Sequence, residues 1–336
     1  MKRLLSDAGW GMFCASSWTW CIGMMLPFIM LRDYGWLGFA IFAGPNVLGC
    51  AAFGFVLRDA ERRRRWRDEH GAMAVVFSGA TVAFHMLFGV ILLRGLGAGG
   101  GSAEPTIGTE SVALMVAGPA ILYAVAQAVS RLPRSWWPGL GSGMWLVSAG
   151  VFGWLVMQPS LVDSIPAARQ VTEAAWLAPA VVFGFLLCPY LDLTFHRAAD
   201  GAREPRVAFT VFGLTFTVMI VMTCWVWFRP ASGATVPLSV LLVHLAGQAV
   251  FTMAAHLREI RESPAAAVPG GQRGWWSVAL PWAVGLGTLA APGVVSGEGL
   301  YLRYLGVYGL VFPLYVWLAA RPLAAWPAGG RWLVWA

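Results

Sequence analysis

Charge is what this chain has least of: Asp, Glu, Lys and Arg make up 12% of its 336 residues, against 58% that are hydrophobic. A soluble domain carries roughly twice that charged fraction, so an ordinary water-soluble fold is excluded. Cysteine is sparse as well. The five present (Cys14, Cys21, Cys50, Cys188, Cys224) sit in apolar stretches, are odd in number and show no CxxC spacing. That excludes a disulfide framework or a zinc ribbon and leaves small apolar packing as their role. No GxSxG, HExxH, Walker A or dinucleotide fingerprint occurs in suitable context, and the polar residues are scattered, so the chain does not read as an enzyme. The net charge of +7 calls for no nucleic acid.

What the chain has instead is apolar runs of membrane length. Ten stretches, at about 10–31, 37–57, 72–95, 111–130, 137–158, 173–194, 207–228, 236–256, 275–295 and 299–319, each hold close to 20 residues, enough to cross ~30 Å of hydrocarbon. The first is too long, too rich in Trp and too soon followed by others to be a cleaved signal peptide. With the N-terminus inside, 18 of the 23 basic residues fall on the cytoplasmic side. The positive-inside rule then predicts a multi-pass protein of the cytoplasmic (inner) membrane with both termini in the cytoplasm. The run Arg62 to Arg65 and Arg67 is read as serving topology and anionic headgroups. Loops are short, so the whole of 1–336 forms one transmembrane domain. Gly95–Ser102 and Ser263–Gly274 read as flexible links. Its partners are the bilayer and a small solute; nothing in the sequence sets an oligomeric state.

Two apolar helices carry a Pro beside polar or aromatic residues: Ser16-Ser17-Trp18-Thr19-Trp20-Cys21-Ile22-Gly23 leading to Pro27, and Gly184-Phe185-Leu186-Leu187-Cys188-Pro189-Tyr190-Leu191-Asp192. A helix broken at membrane depth must be buried in protein or line a cavity, because lipid offers no hydrogen bonds. Matching breaks in two halves of a chain point to the binding site of a secondary transporter. Ten spans with both ends inside divide into five and five of opposite orientation, repeat A at about 8–158 and repeat B at about 173–320. Short echoes fall in corresponding spans: Pro27-Phe28-Ile29-Met30-Leu31 with Pro189-Tyr190-Leu191-Asp192-Leu193, and Phe39-Ala40-Ile41-Phe42 with Phe209-Thr210-Val211-Phe212.

Ala15-Ser16-Ser17-Trp18 running through Gly23 and Pro27 to Trp36, Gly38 and Gly49 resembles the first two core helices of the sodium/solute symporters. Gly184-Phe185, Pro189-Tyr190, Phe195 and Ala198-Ala199-Asp200, followed by a basic loop, resemble that family's sixth helix. The resemblance implies an all-α membrane protein of the LeuT fold (amino acid-polyamine-cation superfamily), shortened to the ten-helix core. It implies a 5+5 inverted repeat with helices 1 and 6 broken. The function it implies is secondary transport of a small polar solute, coupled to an ion or to protons. Two alternatives stand beside it: a LeuT-fold sensor or scaffold that does not transport, and a ten-helix transporter of the drug/metabolite type.

The candidate residues follow. Ser16, Ser17, Trp20 and Gly23 at the first break, Pro189 and Tyr190 at the second, and His85 in span 3 are candidates for the solute site. Asp192, three residues past Pro189, can bind a cation or relay a proton, or else pair with His196 or Arg197 as an interfacial acid. His244 and Gln248 share a face of span 8 at i,i+4 spacing, and the resemblance would set His244 near His85. These two are read as the only histidines at membrane depth. A His of near-neutral pKa can take over coupling from sodium. Span 8 offers no Ser/Thr pair mid-span, so sodium is not expected between spans 1 and 8. No other cofactor or metal is expected. Asn46 after Gly44-Pro45 reads as a cap for a proline kink, and Arg32, Asp33, Glu298 and Arg303 as interfacial pairs.

Overall fold

A computed structural model describes residues 2–19, 22–97, 109–157, 171–227, 238–264 and 297–319. All regular structure among them is helical. The elements are α1 (Lys2–Thr19), α2 (Ile22–Val56), α3 (Ala60–Gly97), α4 (Thr109–Val129), α5 (Trp137–Val156), α6 (Val171–Leu187), α7 (Leu193–Gly201), α8 (Pro205–Trp227), α9 (Leu238–Glu262), α10 (Gly297–Gly306) and α11 (Phe312–Ala319). Short 3-10 turns lie at Arg134–Trp136 and Cys188–Leu191, and a π turn at Val307–Val311 joins α10 to α11.

Five stretches are long and apolar enough to cross a membrane: Ile22–Val56, Ala60–Leu93, Thr172–Leu191, Pro205–Cys224 and Gly297–Leu318. Ala113–Val129 and Arg134–Leu155, bent by 109°, make a sixth if taken as one span. The chain is thus an all-helical protein with several membrane-length apolar helices. Of the remaining expected spans, α1 carries Lys2, Arg3 and Asp7 within its 18 residues, which lowers its apolar character. The stretch expected at 275–295 lies outside the described residues, as do both flexible links except their first residues.

Gly35 divides α2 in two. Its φ of 63° and ψ of −157° belong to a region open to glycine alone, so the helix 22–34 turns there into 36–56. Pro27, expected at the first break, lies inside α2. It removes one hydrogen bond of the helix without ending it.

The core is aromatic. Phe53 of α2 stacks on Phe209 of α8 at 5.1 Å and meets Phe195 of α7 edge-on at 5.7 Å; Phe212 stacks on Phe216 at 5.4 Å. Glycines let the helices approach closely enough for this, as small residues do where lipid supplies no hydrophobic drive between helices. A Cβ at Gly49 would stand 2.6 Å from the Phe185 carbonyl of α6, and one at Gly54 2.6 Å from Phe209.

One face of the bundle is ionic. Arg63 is 4% exposed; its Nε donates to Asp200 at 2.8 Å and its Nη1 to the carbonyls of Leu57 and Arg58 at 2.7 Å. Arg67 reaches the other oxygen of Asp200 at 2.7 Å. Two arginines of the run therefore face inward at i,i+4 spacing and hold α7 to α3, while Arg64 and Arg65 point outward. On its other side Arg197 pairs with Glu259 at 2.7 Å and with Glu262, which also takes Arg258 at 2.5 Å. Arg258 and Arg261 bond to the Leu132 carbonyl and the Ser130 hydroxyl, tying in the α4–α5 turn. Away from this face, Arg32 makes two bonds each to Asp33 and to Glu298 of α10 at 2.7–3.1 Å. Arg32 and Glu298 thus join α2 to α10.

Candidate functional site

The Cys188–Leu191 turn is entirely buried, and its backbone finds partners from outside the helix it leaves. Trp66 Nε1 of α3 donates to the Tyr190 carbonyl at 2.7 Å, and His196 Nε2 of α7 donates to the same oxygen at 3.0 Å. Cys188 Sγ donates to the Tyr308 carbonyl, within the π turn, at 2.9 Å. The rings of Phe53 and Trp66 close over Tyr190 at 5.8 and 6.1 Å. An irregular backbone is tolerable in an apolar interior only on such terms.

Asp192 follows the turn and is fully buried. Its Oδ1 accepts from Thr194 N and Thr194 Oγ1, both at 2.7 Å, so the side chain is the N-cap of α7. Oδ2 has no hydrogen-bond partner among the described residues. Neither expected ion-pair partner takes it: His196 is held by Tyr190, and Arg197 by the two glutamates of α9. Half of this carboxylate is architecture and half is free for chemistry.

The end of α1 lies against this region. Trp18 packs on Phe195 at 5.1 Å and donates its indole N–H to Asn46 Oδ1 at 2.7 Å. Asn46 therefore clamps α1 to α2, where the sequence suggested a cap for the Pro45 kink. Ser16 is spent on packing, donating to the Gly141 carbonyl of α5 at 2.9 Å. Ser17 Oγ is buried without a partner, and the Ser17 carbonyl accepts from Thr252 Oγ1 of α9 at 3.4 Å. A Cβ on Gly23 would stand 3.1 Å from Phe216, so this glycine serves the α2–α8 contact. Trp20 and Cys21 lie outside the described residues.

On α9 the polar residues form a seam. His244, Gln248, Thr252 and His256 recur every four residues and are 4%, 1%, 0% and 1% exposed. Four-residue spacing lags the 3.6-residue turn, so the seam winds round the helix over ~18 Å of its length. His244 meets Phe152 of α5 edge-on at 5.2 Å, and Gln248 Nε2 donates to Ser148 Oγ at 2.5 Å, so α5 presents a matching i,i+4 pair. Both ring nitrogens of His244, Gln248 Oε1 and His256 Nδ1 have no partner among the described residues. Buried polar atoms left so are costly and ask for water or a ligand.

His85 of α3 donates Nδ1–H to the Thr81 carbonyl at 2.7 Å, one turn back, and its histidine neighbour is His256 rather than His244. All five histidines, His70, His196 and His256 as well as His85 and His244, are buried within the protein. Thr252 and His256 were missed because they fall near the expected end of span 8. The signal was present in the sequence as two further four-residue steps beyond His244 and Gln248.

Among the described residues no group of three or more His, Cys, Asp and Glu is placed to hold a metal ion. Compared with known proteins, the chain matches no family model, no curated protein and no solved structure.

Proposed function

We propose that the chain is a secondary transporter for a small polar solute, coupled to protons, with the LeuT-type arrangement of ten spans in two inverted halves of five. The observation that carries this reading is the buried turn at Cys188–Leu191 with the α7 segment it opens, which packs against the end of α1 and against α9 and starts at Asp192, whose Oδ2 has no partner among the described residues. Helix packing supports the repeat. Exchanging the halves maps α1 on α8 to α6 on α2, α1 on α5 to α6 on the α10–α11 segment, and α5 on α9 to α3 on α10; each member of these pairs is a contact of the structure. The basic residues gathered on the α7 face support its assignment to the cytoplasm of an inner membrane, with Arg32–Glu298 outside.

In this reading Ser17 and Tyr190 receive the solute. Asp192 Oδ2, His244 and His256 carry the exchangeable proton, and Thr252 is the α9 hydroxyl that meets the Ser17 carbonyl of α1. Sodium would want several such oxygens together, so the coupling ion is the proton.

The test uses purified protein in proteoliposomes. Solutes found by thermal-shift screening, where a ligand of the folded state raises the midpoint, are offered with an inward proton gradient in sodium or in choline. Accumulation driven by the gradient and equal in the two salts is expected. A tenfold gain in affinity with sodium, about 1.4 kcal/mol of coupling, overturns the proton assignment. Saturable binding without accumulation overturns transport and leaves a sensor.

A further inference from the structure

The start of α5 borders a groove of about 580 Å³ that the site above does not use. Its floor is Gly139, Gly143 and Gly247, and Leu140, Val147 and Phe251 stand along its walls. A Cβ added at Gly139 or Gly143 would meet nothing within 4 Å, so the slot exists because α5 presents no side chain there. From Trp136 to Val147 the helix rises ~16 Å, about the ~15 Å of hydrocarbon in one leaflet. The groove therefore has the length of a single acyl chain.

Its head carries charge. Arg131 and Arg134 lie in the α4–α5 turn, between and next to the lining residues Val129, Ser135 and Trp136; both are exposed, and neither has a carboxylate partner among the described residues. The nearby acids of α9 are already committed, Glu259 to Arg197 and Glu262 to Arg197 and Arg258. Trp136, 56% exposed, stands beside them, as aromatic residues do at headgroup level. Two free guanidiniums match the paired oxygens of a phosphate, and a headgroup that brings its own ammonium would cancel much of that attraction.

We propose that this groove binds an anionic glycerophospholipid, one acyl chain lying along Gly139 and Gly143 with the phosphate between Arg131 and Arg134. The claim is independent of whether the protein transports. A partner helix would fill the slot but supply nothing to the two arginines, so the charge at the mouth selects the lipid.

The test is native mass spectrometry of the full-length protein in nonionic detergent, titrated with phosphatidylglycerol or phosphatidylcholine of identical chains. At least tenfold tighter retention of phosphatidylglycerol is expected. R131Q/R134Q should bring it to the level of phosphatidylcholine, and G139L/G143L should weaken both lipids while leaving the melting midpoint in place, since those positions face open space. Equal retention of the two lipids by the unaltered protein overturns the proposal. So does a preference that survives R131Q/R134Q and falls with R64Q/R65Q. A lipid-independent dimer abolished by G139L/G143L would instead make the groove a contact between copies of this chain.

Discussion

The ionic face around α7 and the polar seam of α9 hold their polar groups under different rules. At α7, Arg63 and Arg67 share Asp200 on one side and Arg197 is shared by Glu259 and Glu262 on the other, so these six side chains are all paired. Along α9, His244, Gln248 and His256 keep atoms without partners. The first arrangement holds three helices together and costs much to break. The second costs stability to keep, a cost that the proposed proton coupling would explain. Partnering and depth of burial together separate the two regions.

The sharpest way to break that comparison is to remove one partner from the paired region. Asp200→Ala leaves the buried Arg63 with only two carbonyls to face, and because Asp200 is itself partly exposed a loss of about 2 kcal/mol is expected, below the cost of breaking a fully buried pair. Equilibrium unfolding in mixed detergent measures it; a loss under 1 kcal/mol would make the α7 face ornamental. Asp192 belongs to both regions and tests them against each other. Asp192→Ala removes the cap of α7 and should cost about 1–2 kcal/mol. Asp192→Asn keeps an acceptor at Oδ1 and should stay within about 0.5 kcal/mol of the parent, while abolishing proton-driven uptake in proteoliposomes. Uptake retained by the Asn variant would leave Asp192 a cap and nothing more.

In the seam the sign should reverse. His244→Phe replaces unpartnered nitrogens by a ring suited to Phe152 and should be neutral or stabilising by about 1 kcal/mol, with transport lost. A destabilised His244→Phe would assign that histidine to the framework.

The smallest effect is a slope. Burial pushes the Glu259 carboxyl up to about 7, against the pull of Arg197, from an ordinary 4.5. Between those values the folded protein holds the extra proton and the unfolded chain does not, so stability falls as pH rises from about 4.5 to about 7 and then levels. Glu259→Gln should flatten that slope by on the order of 1 kcal/mol between pH 5 and 8, read from melting midpoints across the range. An unchanged slope would place the titrating group elsewhere.

Much of this was legible in the sequence because hydrocarbon imposes simple rules. Apolar length marks helices, and Pro189 with its neighbours marks where α6 gives way to a 3-10 turn. What stayed hidden was direction. Arg63 and Arg64 are adjacent and chemically identical, yet one is buried against Asp200 and the other faces outward, a difference of about 100° around the helix that only packing decides. Pro27 misled because one missing N–H can be absorbed inside a helix. Ser16 and Ser17 divide in the same way, the first spent on the Gly141 carbonyl and the second unpartnered.

The Tyr190 carbonyl, held by one donor from α3 and one from α7, also sets an order of assembly. Residues 171–201 inserted alone have no Trp66 to meet that oxygen, so Pro189 opens the turn locally but tertiary docking is what satisfies it. During synthesis α3 enters the bilayer long before Cys188 emerges, and His196 follows Tyr190 by only six residues. The growing chain therefore delivers each donor in time, and a circular permutant opened in the α2–α3 turn, which makes α3 first and α2 last, would build its turn with Phe53 still missing. Its folding yield would fall even though every native contact remained available at the end.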